Sequence, residues 1–346
     1  MSNIRVFHAY GRHAERTSED STFADVTFFV SDFVDWYHDC LKVAPKVSGR
    51  SQMTAYSTLP HQGFRSVVHR GVSGYLRQRG YFPNFRKARD FGAMNIMNSF
   101  VMPFPIKNPA NKLMTGSFIP TSLRRTVRSA KVVRVFDDPS TVSVATLKPG
   151  SYFLKSNHGS QQNIHLDLRP GADPIDDDYL RREATRWLSK PFGKSSSQWW
   201  YEFMERKVFI EEDLREGDLG QPLEDLRFHC INGKVALLQL DIGLGTEERD
   251  NPVYDSDLNY MPYPFLRPNR REAPLPALAQ VAKDAAEEIA KPFQYVRVDF
   301  YARNDQLFLG ELTFLPNAGR RAVRHEALNA YLTSFWKPMP TVVRVA

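Results

Sequence analysis

Between Val296 and Leu315 the chain reads VRVDFYARNDQLFLGELTFL, and its first half alternates apolar with polar positions. Val296, Val298 and Phe300 fall on one face of an extended segment, with Arg297, Asp299 and Tyr301 on the other. Leu307, Phe308 and Leu309 open a second strand, and Asn304-Asp305 supplies the turn between the two. The pattern predicts an antiparallel hairpin in which Asp299 and Glu311 lie near one another, with Arg297 and Thr313 close by. Carboxylates are rarely held inside strongly apolar strands without a partner. Two readings are open here. Converging carboxylates make a hard-cation site suited to Mg²⁺ shared with phosphates. Equally, Arg297 can satisfy one acid while the other faces solvent, as structural ion pairs do.

The same periodicities place the remaining elements. Lys131–Phe136 (KVVRVF), Ser151–Lys155 (SYFLK) and Lys207–Glu211 (KVFIE) read as strands, with DDPS as a turn after the first. Leu226–Cys230 and Val235–Leu240 flank Asn232-Gly233, a strong short hairpin signal. Asp176-Asp177-Asp178 offers cap carboxylates to a helix with Leu180, Ala184, Trp187 and Leu188 on one face. Pro274–Lys291 carries Leu278, Val281, Ala282, Ala285 and Ile289 at helical spacing and stops before Pro292. Phe23–Leu41 is aromatic-rich and fits strand or helix. Residues 1–20 are polar and expected to be loosely held, and Met102–Pro109, with three prolines, reads as a connector.

Composition narrows the function classes. A chain of 346 residues with 42% hydrophobic content and 24 Phe can bury a sizeable core. The net charge of +7 favours acidic ligands: phosphates, uronic acids or nucleic acid. Between Phe64 and Phe91, Arg65, Arg70, Arg77, Arg79, Arg86, Lys87 and Arg89 are interleaved with Tyr75, Tyr81, Phe82 and Phe85. Such a stretch can bind nucleic acid, but a solvated helix face with inward aromatics is the expectation. Only Cys40 and Cys230 occur, in no metal-ligand spacing, which argues against disulfide scaffolds and zinc ribbons. No run is apolar enough to span a bilayer, no apolar signal core opens the chain, and a cytoplasmic location is expected.

Three further segments carry candidate chemistry. Leu154–Asn163 (LKSNHGSQQN) delivers Lys155 from a strand into a loop with Gly159-Ser160, where a lysine and backbone N–H groups can hold a polyphosphate. It is not a P-loop, and an ordinary turn is the alternative. His158 and His165 match no metal-ligand pattern, which leaves each a hydrogen-bonding role. Glu211-Glu212 ends a strand at VFIEEDL, where acids can meet ribose hydroxyls or simply face solvent. No G-x-G-x-x-G stands in the sequence, against a dinucleotide fold. No nucleophilic triad stands out either.

Taken in order along the chain, these segments resemble the ATP-grasp superfamily, and more narrowly the TupA-like ATP-grasp proteins linked to teichuronopeptide and surface-polysaccharide synthesis. The likeness spans roughly residues 105–320. It rests on Asn111-Lys112, VFDDPSTVSVATLKPGSYFLKSNHGS, WWYEFMERKVFIEEDL, EDLRFHCINGKV, YVRVDFY and GELTFLPNAG. The chain departs from the pattern where Gln161 stands at a usual glycine and Asn111 at a usual acid. Residues 1–104 match it poorly apart from FGAMNI at Phe91–Ile96.

The resemblance implies an α+β, ATP-grasp fold that holds ATP with Mg²⁺ between two sheet-containing lobes, residues 105–206 and 207–346, after a divergent N-terminal region, 1–104. It assigns the phosphates to Lys112 and Lys155 under the His158, Gly159 and Ser160 loop, and the adenosine hinge to Glu211, Glu212 and Leu214. Asp299, Glu311 and Thr313 would hold the metal; Arg297, with Lys155, would stabilise the transferred phosphoryl group. It implies an ADP-forming, amide-forming ligase that joins an amine to a carboxylate, here an acidic glycan or its precursor; from the chain's own composition, no membrane span and no nucleic-acid partner are expected. Arg320, Arg321 and Arg324, just past LPNAG, are the expected seat of the acidic substrate. A glycosyltransferase and a non-catalytic nucleotide-binding module are the alternatives.

Overall fold

In the computed structural model the ambiguous aromatic stretch is helical: α1 (Glu19–Val43) sets Phe29, Phe33 and Tyr37 at intervals of four on its buried face. The structure describes residues 19–44, 46–47, 51–85, 90–193, 196–215, 223–243, 247, 249–303, 305–336 and 344–345. Residues 1–18, and Arg86, Lys87 and Arg89 of the basic stretch, lie outside the described residues, as does Asn304 of the expected turn. The chain forms two compact units.

The first unit comprises Met1–Ile106, Ser195–Trp199 and Leu315–Ala346. It is mainly helical: after α1 come α2 (Ala55–Thr58), α3 (His61–Arg79), α4 (Phe91–Val101) and the late helix α8 (Glu326–Ser334). Two short pairs complete it, β1 (Lys46–Val47) parallel to β15 (Arg344–Val345) and β2 (Gln52–Met53) antiparallel to β3 (Phe104–Pro105). The last pair runs into the expected proline connector. Every residue of α4 is buried, so this helix is the unit's core, and Phe100 meets Phe33 and Phe85 edge-on. Asp90 caps α4 by accepting from the Ala93 N–H at 2.7 Å. The basic stretch is an ordinary helix to Arg79, with Phe64, Val67, Val68, Val72 and Tyr75 turned inward.

The second unit comprises Lys107–Lys194 and Trp200–Phe314. A four-stranded antiparallel sheet has the order β5 (Val132–Phe136), β8 (Val208–Glu212), β6 (Ser151–Ser156), β7 (Asn163–Asp167). Helix α6 (Asp177–Ser189), capped by Asp176 as expected, buries Leu180, Ala184 and Trp187 in a core with Leu154, Leu166 and Ile210. A seven-stranded sheet has the order β12 (Tyr260–Met261), β11 (Val253–Tyr254), β10 (Lys234–Leu240), β9 (Glu224–Ile231), β13 (Tyr295–Arg303), β14 (Gln306–Thr313), β4 (Val127–Arg128). Asn232 and Gly233 both adopt positive φ, 52° and 73°, as the β9–β10 turn demands. Helix α7 (Ala279–Ala290) covers the apolar face of this sheet, with Ala282, Ala285, Ala286 and Ile289 buried and Cys230 Sγ against the Ala286 carbonyl. Leu278, half-buried, precedes the helix, and Val281 is 39% exposed, so Val281 does not contribute the inward side chain the spacing predicted. Early in this unit, α5 (Lys112–Thr115) is a short helix capped by Asn111. The whole is mixed α+β.

Candidate active site

Because α7 takes the even-numbered face of β13, the odd-numbered face, with Arg297, Asp299 and Tyr301, is left for polar chemistry. The β13–β14 register pairs Arg297 with Thr313 and Asp299 with Glu311, then slips by one residue before Phe300 pairs with Leu309. The slip is a bulge at Gly310. Without it, strict alternation along β14 would put Glu311 on the same face as the buried Leu307 and Leu309. With it, Glu311 and Thr313 cross to the face of Asp299 and Arg297. Glycine is needed there, since a Cβ would stand 2.7 Å from the Tyr301 ring.

Arg297 grips Asp299 through two bonds, Nε to Oδ1 at 2.7 Å and Nη2 to Oδ2 at 2.5 Å, and donates to Thr313 Oγ1 at 3.2 Å. Burial pushes the Asp299 carboxyl up to about 6 even with Arg297 beside it. Among the described residues Glu311 makes no side-chain hydrogen bond or ion pair. One acid is satisfied by Arg297, as in a structural ion pair, and the other stands opposite it, uncommitted among the described residues. Among the described residues no group of three or more His, Cys, Asp or Glu is placed to hold a metal ion by itself. Two carboxylates and a hydroxyl suit Mg²⁺, which takes one or two carboxylates and completes its shell with water and phosphate oxygens.

The polar face continues across β9 and β10, and sequence reasoning missed this. Arg227 lies opposite Asp299, Asp225 opposite Tyr301 and His229 opposite Arg297. Arg227 pairs with Asp225 (2.6 Å) and with Asp241 (2.7 Å), and Asp241 also holds Arg249 at 2.5 Å. His229 is fully buried, bonded to the Tyr295 hydroxyl at 2.8 Å, and its pKa falls well below the usual range through burial and the Arg297 charge. A signal was there: Asp225, Arg227 and His229 alternate with Leu226, Phe228 and Cys230 as the β13 residues do.

On the four-stranded sheet Lys155 and Glu211 form an ion pair, with Lys155 also 5.1 Å from the Phe153 ring centroid. Arg215 stacks over that ring at the same distance. Asp213, buried, accepts from Ser151 Oγ and Arg215 and lies 3.3 Å from His165. None of Phe153, Asp213 or Arg215 was singled out from sequence. The expected hinge divides: Glu211 faces Lys155, while Glu212 accepts the Lys131 N–H at 2.8 Å and the Leu214 carbonyl accepts from Arg303.

Lys112 joins the two sheets. Its N–H donates to the Asn157 carbonyl at 3.0 Å, and its ammonium donates to the Gly159 carbonyl. Burial lowers the Lys112 pKa; Lys155 lowers it further, while Glu311 and Glu211 oppose both. Lys112 thus lies within electrostatic reach of Lys155, of its partner Glu211 and of the uncommitted Glu311. His158 is buried beside Asn157, and burial takes its pKa down to about 4. Ser160 is exposed. Gln161 has a φ of 59°, the left-handed conformation a glycine would adopt freely. Arg320, Arg321 and Arg324 are exposed and belong to the first unit.

A family model described as TupA-like ATPgrasp matches residues 133–334, more than half of the chain. Similar solved structures include an ATP-grasp ligase, PsnB, complexed with its minimal precursor (14% identity, 66% of this chain and 60% of that one, TM-score 0.35). Two others are D-alanine–D-alanine ligases, from Bacillus anthracis (14%, 65% and 65%, 0.38) and Helicobacter pylori (12%, 67% and 59%, 0.37). The chain spans less than two thirds of each of these proteins. No curated protein matches it. Among the described residues no helix is long and apolar enough to cross a membrane.

Proposed function

The chain belongs to the TupA-like ATP-grasp family, and on that premise we propose that it is an ADP-forming carboxylate–amine ligase acting on an acidic glycan or its precursor in surface-polysaccharide synthesis. The observation that carries this is the opposed pair Asp299 and Glu311 with Arg297 on the same face and Lys112 in reach of Glu311. An anion that brings several negative charges, with a cation between it and the acids, matches that arrangement of charge.

In this reading Lys112 and Lys155 neutralise phosphate oxygens of ATP, and Glu211 and Leu214 bound its adenosine. Asp299, Glu311 and Thr313 would hold Mg²⁺, whose charge would draw phosphate oxygens toward the hairpin. Arg297, locked by Asp299, presents a fixed guanidinium to the phosphoryl group in flight, so no reorganisation is required at the moment of transfer. A substrate carboxylate oxygen attacks the γ-phosphorus and ADP leaves. The amine nitrogen then attacks the acyl carbon, the C–O bond to phosphate breaks, and the amine gives up a proton to solvent. The protein supplies positioning and charge, with no covalent intermediate of its own.

Incubation with Mg·ATP and pooled acidic sugars and amino acids, followed by identification of the nucleotide product, tests the reading. ADP released only when acid and amine are both present is the expected result. AMP as the product, or consumption of a nucleotide sugar without ATP, would overturn it, the latter in favour of glycosyltransfer. ATP bound tightly with no turnover in any pool would leave a nucleotide-binding module instead.

A further inference from the structure

The loop after β6 is tied to itself in a way the family likeness does not explain. Asn157 anchors its base: its N–H and side-chain amide donate to the Lys207 and Glu205 carbonyls, and its Oδ1 accepts the Lys207 N–H at 3.0 Å. Beyond that anchor and the two bonds from Lys112, the loop is held by its own atoms. Ser156 Oγ accepts the Gly159 N–H at 3.0 Å and donates to Gln162 Oε1 at 2.5 Å, while the Ser156 N–H donates to the Gln162 carbonyl at 3.1 Å. The Gln162 side chain fills the hollow under Gly159 so closely that a Cβ there would lie 1.8 Å from Oε1.

This arrangement fixes the polarity of the loop. The Gly159 N–H is turned inward to Ser156, and the Gly159 carbonyl is turned toward the Lys112 ammonium. In a trans peptide the C=O and the next N–H point in opposite directions, so the Ser160 N–H faces away from Lys112. A carbonyl oxygen beside the lysine repels a phosphate, and the donors that would receive it are turned aside.

We propose that Ser156 and Gln162 are positioning residues that latch this loop in a phosphate-excluding state, and that anionic ligand binding requires the Gly159–Ser160 peptide to turn over. The proposal rests on the nucleotide reading above and adds a barrier to it. A phosphate outcompetes a neutral carbonyl for Lys112, because charge-assisted bonds are the stronger. Once Lys112 is withdrawn, the Ser156–Gln162 relay is what resists the turn among the described residues. Gln161, already in the left-handed region, is a pivot next to it.

Two measurements on the full chain separate the latch from the nucleotide reading. Without nucleotide, hydrogen exchange of the 157–162 segment is expected to be slow in the parent, fast in Gln162→Ala and Ser156→Ala, and slow again in Gln162→Glu, which keeps an acceptor for Ser156. With Mg²⁺ and N-methylanthraniloyl-ATP in a stopped flow, the parent association rate is expected to plateau with probe concentration. Gln162→Ala should raise that plateau and tighten the dissociation constant by about fivefold, the weight of one net hydrogen bond. Unchanged exchange in both alanine variants, or slower or weaker binding in Gln162→Ala, overturns the latch while leaving nucleotide binding intact. Faster exchange in the alanine variants of a chain whose parent binds no probe overturns the phosphate assignment, and the latch's role with it.

Discussion

Asp299→Asn and Glu311→Gln remove the same charge from the same face but break different things. Asp299 is the bidentate partner of Arg297, whose side chain is only 14% exposed. Removing one member of a buried ion pair costs about 3 to 5 kcal/mol when the other is left uncompensated. Two features reduce that figure. Asparagine keeps one oxygen to accept from Arg297, and burial already holds the Asp299 carboxyl at about 6, so part of the desolvation cost disappears with the charge. A loss of about 2 kcal/mol is therefore expected for Asp299→Asn. Among the described residues Glu311 has no such partner, and it lies across from a second carboxylate, so Glu311→Gln should be neutral or slightly stabilising. Urea denaturation of the parent and both variants, followed by Mg·ATP calorimetry, separates stability from binding. Both variants should lose Mg·ATP affinity, and only Asp299→Asn should lose stability. Equal stability losses would refute the division of labour; undiminished affinity in both would remove the metal assignment.

The remaining predictions concern the supports of this site. Gly310→Ala drives a methyl to 2.7 Å from Tyr301, so it should cost about 1 to 3 kcal/mol in urea denaturation, and a neutral result would mean the ring is free to move. His158, whose pKa burial takes to about 4, stays neutral in the fold while an unfolded histidine protonates below about 6.5. Stability should therefore fall by up to about 3 kcal/mol as pH drops from 6.5 to 4, and a parent and a His158→Gln variant with parallel pH profiles would contradict this. Arg320→Ala with Arg321→Ala should raise KM for an acidic co-substrate and make it less salt-sensitive with Mg·ATP affinity intact; normal turnover at low salt would exclude these arginines from acceptor binding.

Much of the second unit was legible because its elements obey local rules. Alternation gave β13, the Asn232-Gly233 turn joined β9 to β10, and aspartate at the cap with apolar spacing gave α6. The aromatic stretch of α1 was ambiguous because Phe, Val and Tyr serve either period, and burial of an i, i+4, i+8 stripe decided it. Val281 shows the converse: its spacing fitted the helix, but the sheet that the helix packs on reaches only the alanine face.

For the candidate site, sequence by itself determined which residue types were present and which strand carried each, since β13 alternation and the Lys155 and Glu211 strand ends are local properties. Tertiary structure decided which of them meet. The bulge at Gly310 turned Glu311 toward Asp299, and no periodicity announces a one-residue slip. Strand order set Arg227 beside Asp299 across some seventy residues of chain, and Lys112 reached Gly159 and Glu311 through a short helix whose own sequence is unremarkable in pattern. Residues 315–346 likewise joined the unit that contains the first hundred residues. Local patterning is written in neighbours along the chain, whereas the pairing of distant acids, arginines and lysines is fixed only when sheets pack and their polar faces are left over.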